Sequence, residues 1–283
     1  MTIDPAKLLA MPPIITRQSL TAKDTILYAL GIGASELPFV YEDCLRALPT
    51  MAVVLGYPGF IWRDPAMGAD WQKILHGEQS TILHAPLPVE GEIIGETRIE
   101  ALFDKGADKG AIALVTREIH DSHGTHLATI RATTFLRGDG GFGGSSAGAP
   151  APHPLPTDRP ADSAITLPTA GNLAHIYRLS GDLNPLHIDP AVAKAAGFSG
   201  PILHGLATYG IVGRALLLAR CANAPARLRR MDCRFSSPVY PGETITTEIW
   251  DEAKEGDRSR LAFRARVVER DLIVLTNGYA EID

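Results

Sequence analysis

Between residues 78 and 137 apolar and polar positions alternate in short runs broken by turn residues. The runs are EQSTILHA (78–85), EIIGETRIEALFD (92–104), GAIALVTREIHD (110–121) and THLATIRATTFLR (125–137). Pro86 to Gly91, Lys105 to Gly110 and Ser122 to Gly124 separate them. Runs of this kind, bounded by Gly, Pro and Ser, predict strands at hairpin spacing. A helix is expected ahead of them, over TAKDTILYALGIG (21–33). The same order then returns. AGNLAHIYRLSGD (170–182) opens a second series, closed by ARLRRMDCRFSSPVY, ETITTEIWDEA, SRLAFRARVVE and LIVLTNGYAEI.

Residues 138–160, GDGGFGGSSAGAPAPHPLPTDRP, carry six Gly and five Pro and hardly a side chain able to anchor a core. Such a segment reads as a linker. It divides the chain into units spanning 1–137 and 161–283, each of domain size. Laying Tyr28-Ala29-Leu30 over Tyr177-Arg178-Leu179 gives an offset of 149 residues. The letters repeat weakly, but the order of elements agrees, so a duplicated α+β unit is expected. In that register Gly33 stands where Asp182 stands in the second unit.

The second unit holds the candidate chemistry. Asp189-Pro190 before AVAKAAG is a helix start, with Asp as N-cap, Pro at the first position and Gly197 past the end. Asn184-Pro185 takes the backbone out of any helix. Asp182 and His187 therefore sit at the two ends of a tight loop, tethered on both sides, and do not share a helix face. Beyond it, FSGPILHGLATYGIVGRALLLARCA (198–222) is apolar nearly all round from Leu206 on, which marks a buried helix reaching about Arg220. Ala207, Gly210 and Gly213, at three-residue spacing, let other backbone approach it closely. Its start is a positive dipole end with unpaired N–H groups, and Gly205 has no side chain to keep a ligand off them. Such a donor is worth roughly 3–4 kcal/mol when it meets an oxygen that gains charge during reaction. An acid, a base and an anion site are the parts for proton transfer beside a carbonyl-derived enolate.

Composition narrows the setting. Apolar residues make up 45% and charged ones 21%, ordinary for a chain with buried cores. The net charge of -5 argues against nucleic acid or an anionic membrane as partner. Cys44, Cys221 and Cys233 are odd in number and far apart, which suits free thiols in a reducing compartment. The first residues lack a basic start and apolar core, and the last three, EID, are no peroxisomal address. The longest apolar stretch, IVGRALLLA (211–219), is short and broken by Arg214. A cytoplasmic protein is the expectation.

YRLSGDLNPLHIDPAVAKAAGFSGPILHGLATYG (177–210) resembles the signature of the MaoC-like (R)-specific enoyl-CoA hydratases. These include the hydratase part of the peroxisomal multifunctional enzymes. The match is dense over 173–213 and looser through ILYALGIGA, ILHGEQ, DKGAIALVTREI and FSSPVYPGE. The resemblance implies a double hot-dog fold, each unit a long helix wrapped by an antiparallel sheet, and a homodimer. It implies hydration of trans-2-enoyl-CoA to (3R)-3-hydroxyacyl-CoA, with coenzyme A entering only as the substrate's thioester and with neither metal nor redox cofactor. By the matching positions, Asp182 and His187 hold the water, Asn184 orients them, and the Gly205 N–H binds the thioester oxygen. The first unit looks like the family's degenerate copy, which accommodates a bulky acyl chain. The chemistry asks for these types: His187 takes a proton from water near neutral pH, and Asp182 gives one to the α-carbon if burial favours its protonated form.

Two other readings stand beside this one, a hot-dog acyl-CoA thioesterase and a non-catalytic acyl-CoA-binding module. Arg229, Arg230 and Arg234 on one strand suit CoA phosphates, though a solvated strand face accounts for them equally well. The histidines of HDSHGTH (120–126) fall at a hairpin tip and read as polar turn residues, not metal ligands. GSSAG (144–148) lacks the strand and helix that a serine-hydrolase elbow needs. Gly31-Ile32-Gly33 lacks the third glycine of a dinucleotide site. His76-Gly77-Glu78 and Glu243 read as structural.

Overall fold

The structure, a computed structural model, describes residues 3–256 and 258–283. The first unit runs α1 (Pro5–Leu9), β1 (Ile14–Leu20), α2 (Ala22–Gly31), α3 (Leu37–Val40), then β2 (Ile74–Leu83), β3 (Gly91–Asp104), β4 (Ala111–Asp121) and β5 (His126–Leu136). The second runs β6 (Ser163–Pro168), α4 (Leu173–Tyr177), α5 (Pro190–Ala195), α6 (Gly205–Arg220), then β7 (Leu228–Phe235), β8 (Thr244–Glu255), β9 (Arg258–Val267) and β10 (Leu272–Ile282). The strands form one antiparallel sheet in the order β1-β3-β4-β5-β2-β7-β10-β9-β8-β6. Each unit thus contributes the same internal order, first-third-fourth-fifth-second, and the two meet where β2 pairs with β7, Glu78 opposite Arg234 and Ile82 opposite Arg230. This is the double hot-dog architecture expected from the sequence.

The repeat is physical as well as topological. Tyr28 of α2 and Tyr177 of α4 are both buried, with ring centroids 6.0 Å apart. A single core runs through both units and takes in Tyr28, Phe39, Met51, Ile93, Tyr209, Leu216, Met231 and Phe263. Burying each such side chain is worth about 1.5–3 kcal/mol.

The units differ in what fills the sheet. In the second, α6 is buried along almost its whole length, as its apolar perimeter predicts. What approaches its glycines comes from the first unit. A Cβ on Gly210 would fall 2.6 Å from Ile32, and one on Gly213 would fall 2.5 Å from Thr50. Between α3 and β2 the first unit has no matching helix among its described residues, only 3-10 turns such as Pro49–Val54. The long central helix expected there is replaced by this shorter packing against α6.

The Gly/Pro-rich segment lies flat on the protein. Asp104 accepts from the amides of Gly141 and Gly143 at 2.8 Å and of Gly144 at 3.2 Å, and Asn277 donates to the His153 carbonyl at 2.7 Å. These bonds hold it, along with Phe142, which packs against a smaller apolar cluster around Trp62 and Leu136. No described helix is long and apolar enough to cross a membrane.

Candidate active site

The chain between α4 and α5 is fixed at both ends. Gly181 takes a left-handed conformation (φ 119°) that turns the backbone out of the helix into Asp182. The Asn184 amide then donates to the Asp182 carboxylate at 3.2 Å, and the Asn184 side chain accepts from the Leu186 amide at 3.1 Å. Asn184 therefore shapes the loop from the inside. Pro185–His187 forms a single 3-10 turn, and Asp189 caps α5 through the amides of Ala191 and Val192.

His187 is held more firmly than Asp182. Its ring is buried and its Nδ1 lies 2.8 Å from the Ile202 carbonyl, which can only accept, so Nδ1 carries the proton. Nε2 is left as a lone pair. It faces the Asp182 Oδ2 at 4.0 Å, too far for a direct hydrogen bond but a separation from which both atoms reach one water oxygen. Burial pushes the imidazole below its ordinary 6.5, while the bond to Ile202 and the Asp182 charge pull it partly back. The ring is a neutral base at neutral pH. The Asp182 side chain is 44% exposed, so the gap between it and His187 is open to solvent.

One residue of this site escaped the sequence reading. His204, at the N-cap of α6, is 1% exposed; its ring stacks on His187 with centroids 3.7 Å apart, and its Nε2 bonds the Asp182 main-chain carbonyl at 3.2 Å. It joins His187, the Asp182 backbone and the helix start in one packed unit. Only its place, directly ahead of an apolar helix, hinted at this. Asp182, His187 and His204 bring potential ligand atoms within 4.8 Å of one another. The ring planes lie 26° apart, and one nitrogen of each ring is already bonded to a main-chain carbonyl, that of Ile202 or of Asp182. The expected anion site is close by. A Cβ at Gly205 would press on the Phe235 ring at 3.2 Å, and no acceptor among the described residues faces the Gly205 N–H.

From the start of α6 a cavity of about 140 Å³ opens into the first unit. It is bounded by Leu206, His76, Tyr57, Trp62, Thr97 and Arg117. His76 also meets Phe235 edge-on at 5.0 Å, which puts it nearer the chemistry than a purely structural residue. A second cleft, of about 320 Å³, lies at the far end of α6, where Leu83, Pro225 and Arg229 line it. That end is about 24 Å from Gly205 along the helix.

The three arginines of β7 do not act as a group. Arg229 sits near Asp283 (3.5 Å) in the distant cleft. Arg230 pairs with Asp232 (2.7 Å), and only Arg234, 3.9 Å from Glu78, adjoins Phe235. Glu243 binds Arg270 and the Tyr240 amide, as a structural residue would. His120 and His126 stack at 4.8 Å beside the hairpin tip, with His126 bonded to Glu118.

Comparison with known proteins adds independent findings. Residues 154–271 match the model of the MaoC like domain, and residues 19–138 match the MFE-2 hydratase 2 N-terminal domain. The chain is 40% identical, over all of its length and 98% of the relative's, to a probable enoyl-CoA hydratase 2 of Dictyostelium discoideum. It is 40% identical over 92% of both chains to 3-hydroxyacyl-thioester dehydratase Y of Mycobacterium tuberculosis. Among solved structures, a MaoC-like dehydratase from Phytophthora capsici superposes with a TM-score of 0.88 at 35% identity, covering 98% of each chain.

Proposed function

Because the chain belongs to the MaoC-like dehydratase family, we propose that it hydrates trans-2-enoyl-CoA to (3R)-3-hydroxyacyl-CoA, and dehydrates it in reverse, in fatty-acid or sterol side-chain breakdown. One observation carries the reading: a neutral His187 lone pair and an oxygen of the Asp182 carboxyl, which enters the cycle protonated, 4.0 Å apart at the start of a helix whose first N–H is open. A water held between them loses one proton to His187 Nε2 as its oxygen bonds to C3. The electrons of the double bond move onto the thioester oxygen, which the Gly205 N–H steadies. The enolate then takes a proton at C2 from the Asp182 carboxyl. Return of the imidazolium proton to the carboxylate resets the pair. Each transfer is worth roughly 10²–10⁴ in rate. These steps call for no metal and no redox cofactor.

Crotonyl-CoA tests it directly. The expected result is loss of enoyl absorbance with no free thiol and an (R)-configured product. Release of thiol would favour the thioesterase, and binding without turnover the acyl-CoA-binding module. The acid limb of kcat/KM should fall below pH 6.5, because the proton on His187 that abolishes the base binds below that value. A limb centred above 6.5 would contradict a buried neutral base. A homodimer and a cytoplasmic location belong to the same reading. The exposed Leu179, Leu183 and Ile188 around the loop are apolar groups that a second subunit would cover, and light scattering decides the state.

A further inference from the structure

The cavity running from Leu206 into the first unit is apolar over much of its wall, yet it contains an arginine. Arg117 on β4 is 6% exposed and lines the cavity. Its Nη2 donates to the Val53 carbonyl, its guanidinium lies 5.2 Å from the centre of the Tyr57 ring, and its Nε has no partner. No described carboxylate pairs with it. The absence of a counter-charge shows in its acidity as well: burial pushes it down to about 10, with only Tyr57 acting in the other direction. Directly across the ladder, Thr97 on β3 faces the same cavity, and its hydroxyl, also buried, has no partner.

A buried guanidinium without an anion is costly, and such groups are retained where a ligand completes them. Val53 uses one of the five N–H donors of Arg117. A bond to one main-chain carbonyl calls for a donor, not for a full positive charge beside an orphaned hydroxyl. Both unsatisfied groups line the space that a thioester anchored at Gly205 would fill with its acyl portion, since Leu206 forms its near wall.

We propose that this cavity selects enoyl thioesters whose acyl group ends in a carboxylate, which Arg117 and Thr97 bind. The inference rests on the hydratase reading and deepens it. The carboxylate supplies the missing counter-charge, accepting from the guanidinium and from the Thr97 hydroxyl. An acyl group ending in a methyl leaves both groups desolvated and unpaired, so it binds less well even where its length is right.

The test uses the whole chain and two matched series of trans-2-enoyl-CoA, one ending in a methyl and one in a carboxylate, over several lengths. At one length the carboxylate is expected to give roughly a tenfold to hundredfold higher kcat/KM, the range of a bond to a charged group. Arg117→Met should abolish that preference by lowering kcat/KM of the carboxylate series toward that of the methyl series, and Thr97→Val should reduce it several-fold. Equal kcat/KM for the two series in the wild-type protein at every length overturns the proposal without any variant. Equal loss of both series in a folded Arg117→Met does so too, since it reduces Arg117 to a support for Val53. Hydration of the methyl series alone leaves the hydratase reading intact while ending this one. Failure to hydrate either series removes the foundation for both.

Discussion

The same place in the two units has been put to opposite uses. In the second, the chain leaves α4 through Gly181 into Asp182, and the carboxylate faces His187 across a gap open to solvent. In the first, the chain leaves α2 through Gly33 (φ 73°), and the space is taken by Arg214 of α6. Its Nη1 donates to the Ile32 carbonyl at 3.2 Å and its Nη2 to Glu36 at 3.0 Å. An ion pair fills what is a reactive gap on the other side. The duplicated fold therefore offered two such places, of which one holds a carboxylate facing an imidazole and the other is closed by charge. With the 3-10 turn Pro49–Val54 where the second unit has α6, the first unit lines the cavity.

The comparison breaks most visibly at Asp182. Asp182→Asn keeps the shape and removes the proton donor, so kcat is expected to fall roughly 10²–10⁴-fold with little change in binding of the enoyl-CoA. His187→Gln should do the same to kcat. The reciprocal graft, Gly33→Asp in an Asp182→Asn background, should restore nothing, because no imidazole faces position 33 and Arg214 would capture the new carboxylate. Recovered turnover would mean that the first unit still holds a working site.

Next in size is the ion pair itself. Arg214 is 8% exposed, so Glu36→Ala leaves a buried charge without its partner, at a cost of roughly 2–3 kcal/mol once the partial exposure of Glu36 is allowed for. Arg214→Met combined with Glu36→Gln should recover much of that, since the pair acts as filler. Thermal unfolding measures both, and kcat should stay near wild type in each. Carboxyl and imidazole groups should also differ in acid. Burial of Glu36 opposes its ionisation, but amides of Glu36 and Ser35 and the Arg214 guanidinium outweigh it and hold the carboxyl below 4.5. Its contribution is complete above the unfolded value and is lost as pH falls through the lower folded one. His204 behaves differently: burial and the neighbouring His187 keep it neutral well below 6.5. Its unfolded form takes a proton first, so its contribution already fades as pH falls below 6.5. Loss of stability on acidification should therefore begin with the imidazoles held down to about 4, His76 of the first unit as well as His204, and His204→Phe should flatten the part between 6.5 and 4.5.

How much of this the sequence disclosed follows from the range of each interaction. The eight strands that follow the helices, the α6 boundaries and the α5 cap were legible because they are written in neighbouring letters, such as alternation, Asp189-Pro190 and an apolar perimeter; β1 and β6, which precede the helices, were not read. The loop from Asp182 to His187 was legible for the same reason, and the family resemblance gave its parts a chemistry. Contacts between distant segments were not. Arg214 read only as a break in an apolar run, because Glu36 lies 178 positions away. His204 read as a letter before Gly205, since stacking on His187 has no periodicity. Arg117 looked like any polar position of an alternating strand; that it faces a cavity depends on where β3, β4 and Val53 come together. Arg229, Arg230 and Arg234 looked alike in the chain and were separated only by their partners.

A smaller pair of changes sharpens the comparison without touching either site. Both units open a helix with a side-chain cap. Thr21 and Asp24 form a reciprocal capping box at α2, and Asp189 accepts two amides at α5. Removing either cap costs typically about 1 kcal/mol, so Thr21→Ala and Asp189→Ala should lower the unfolding midpoint by similar amounts. Their effect on turnover should differ. Asp189 stands two residues from His187 and fixes the outgoing end of the reactive loop, so its loss lets the imidazole drift and lowers kcat several-fold. Thr21 anchors a helix that leads only to the closed site, and its loss should leave kcat unchanged. Equal falls in kcat would show that the first unit positions the reactive loop as firmly as the second does, and the division between a chemical unit and a walling unit would fail.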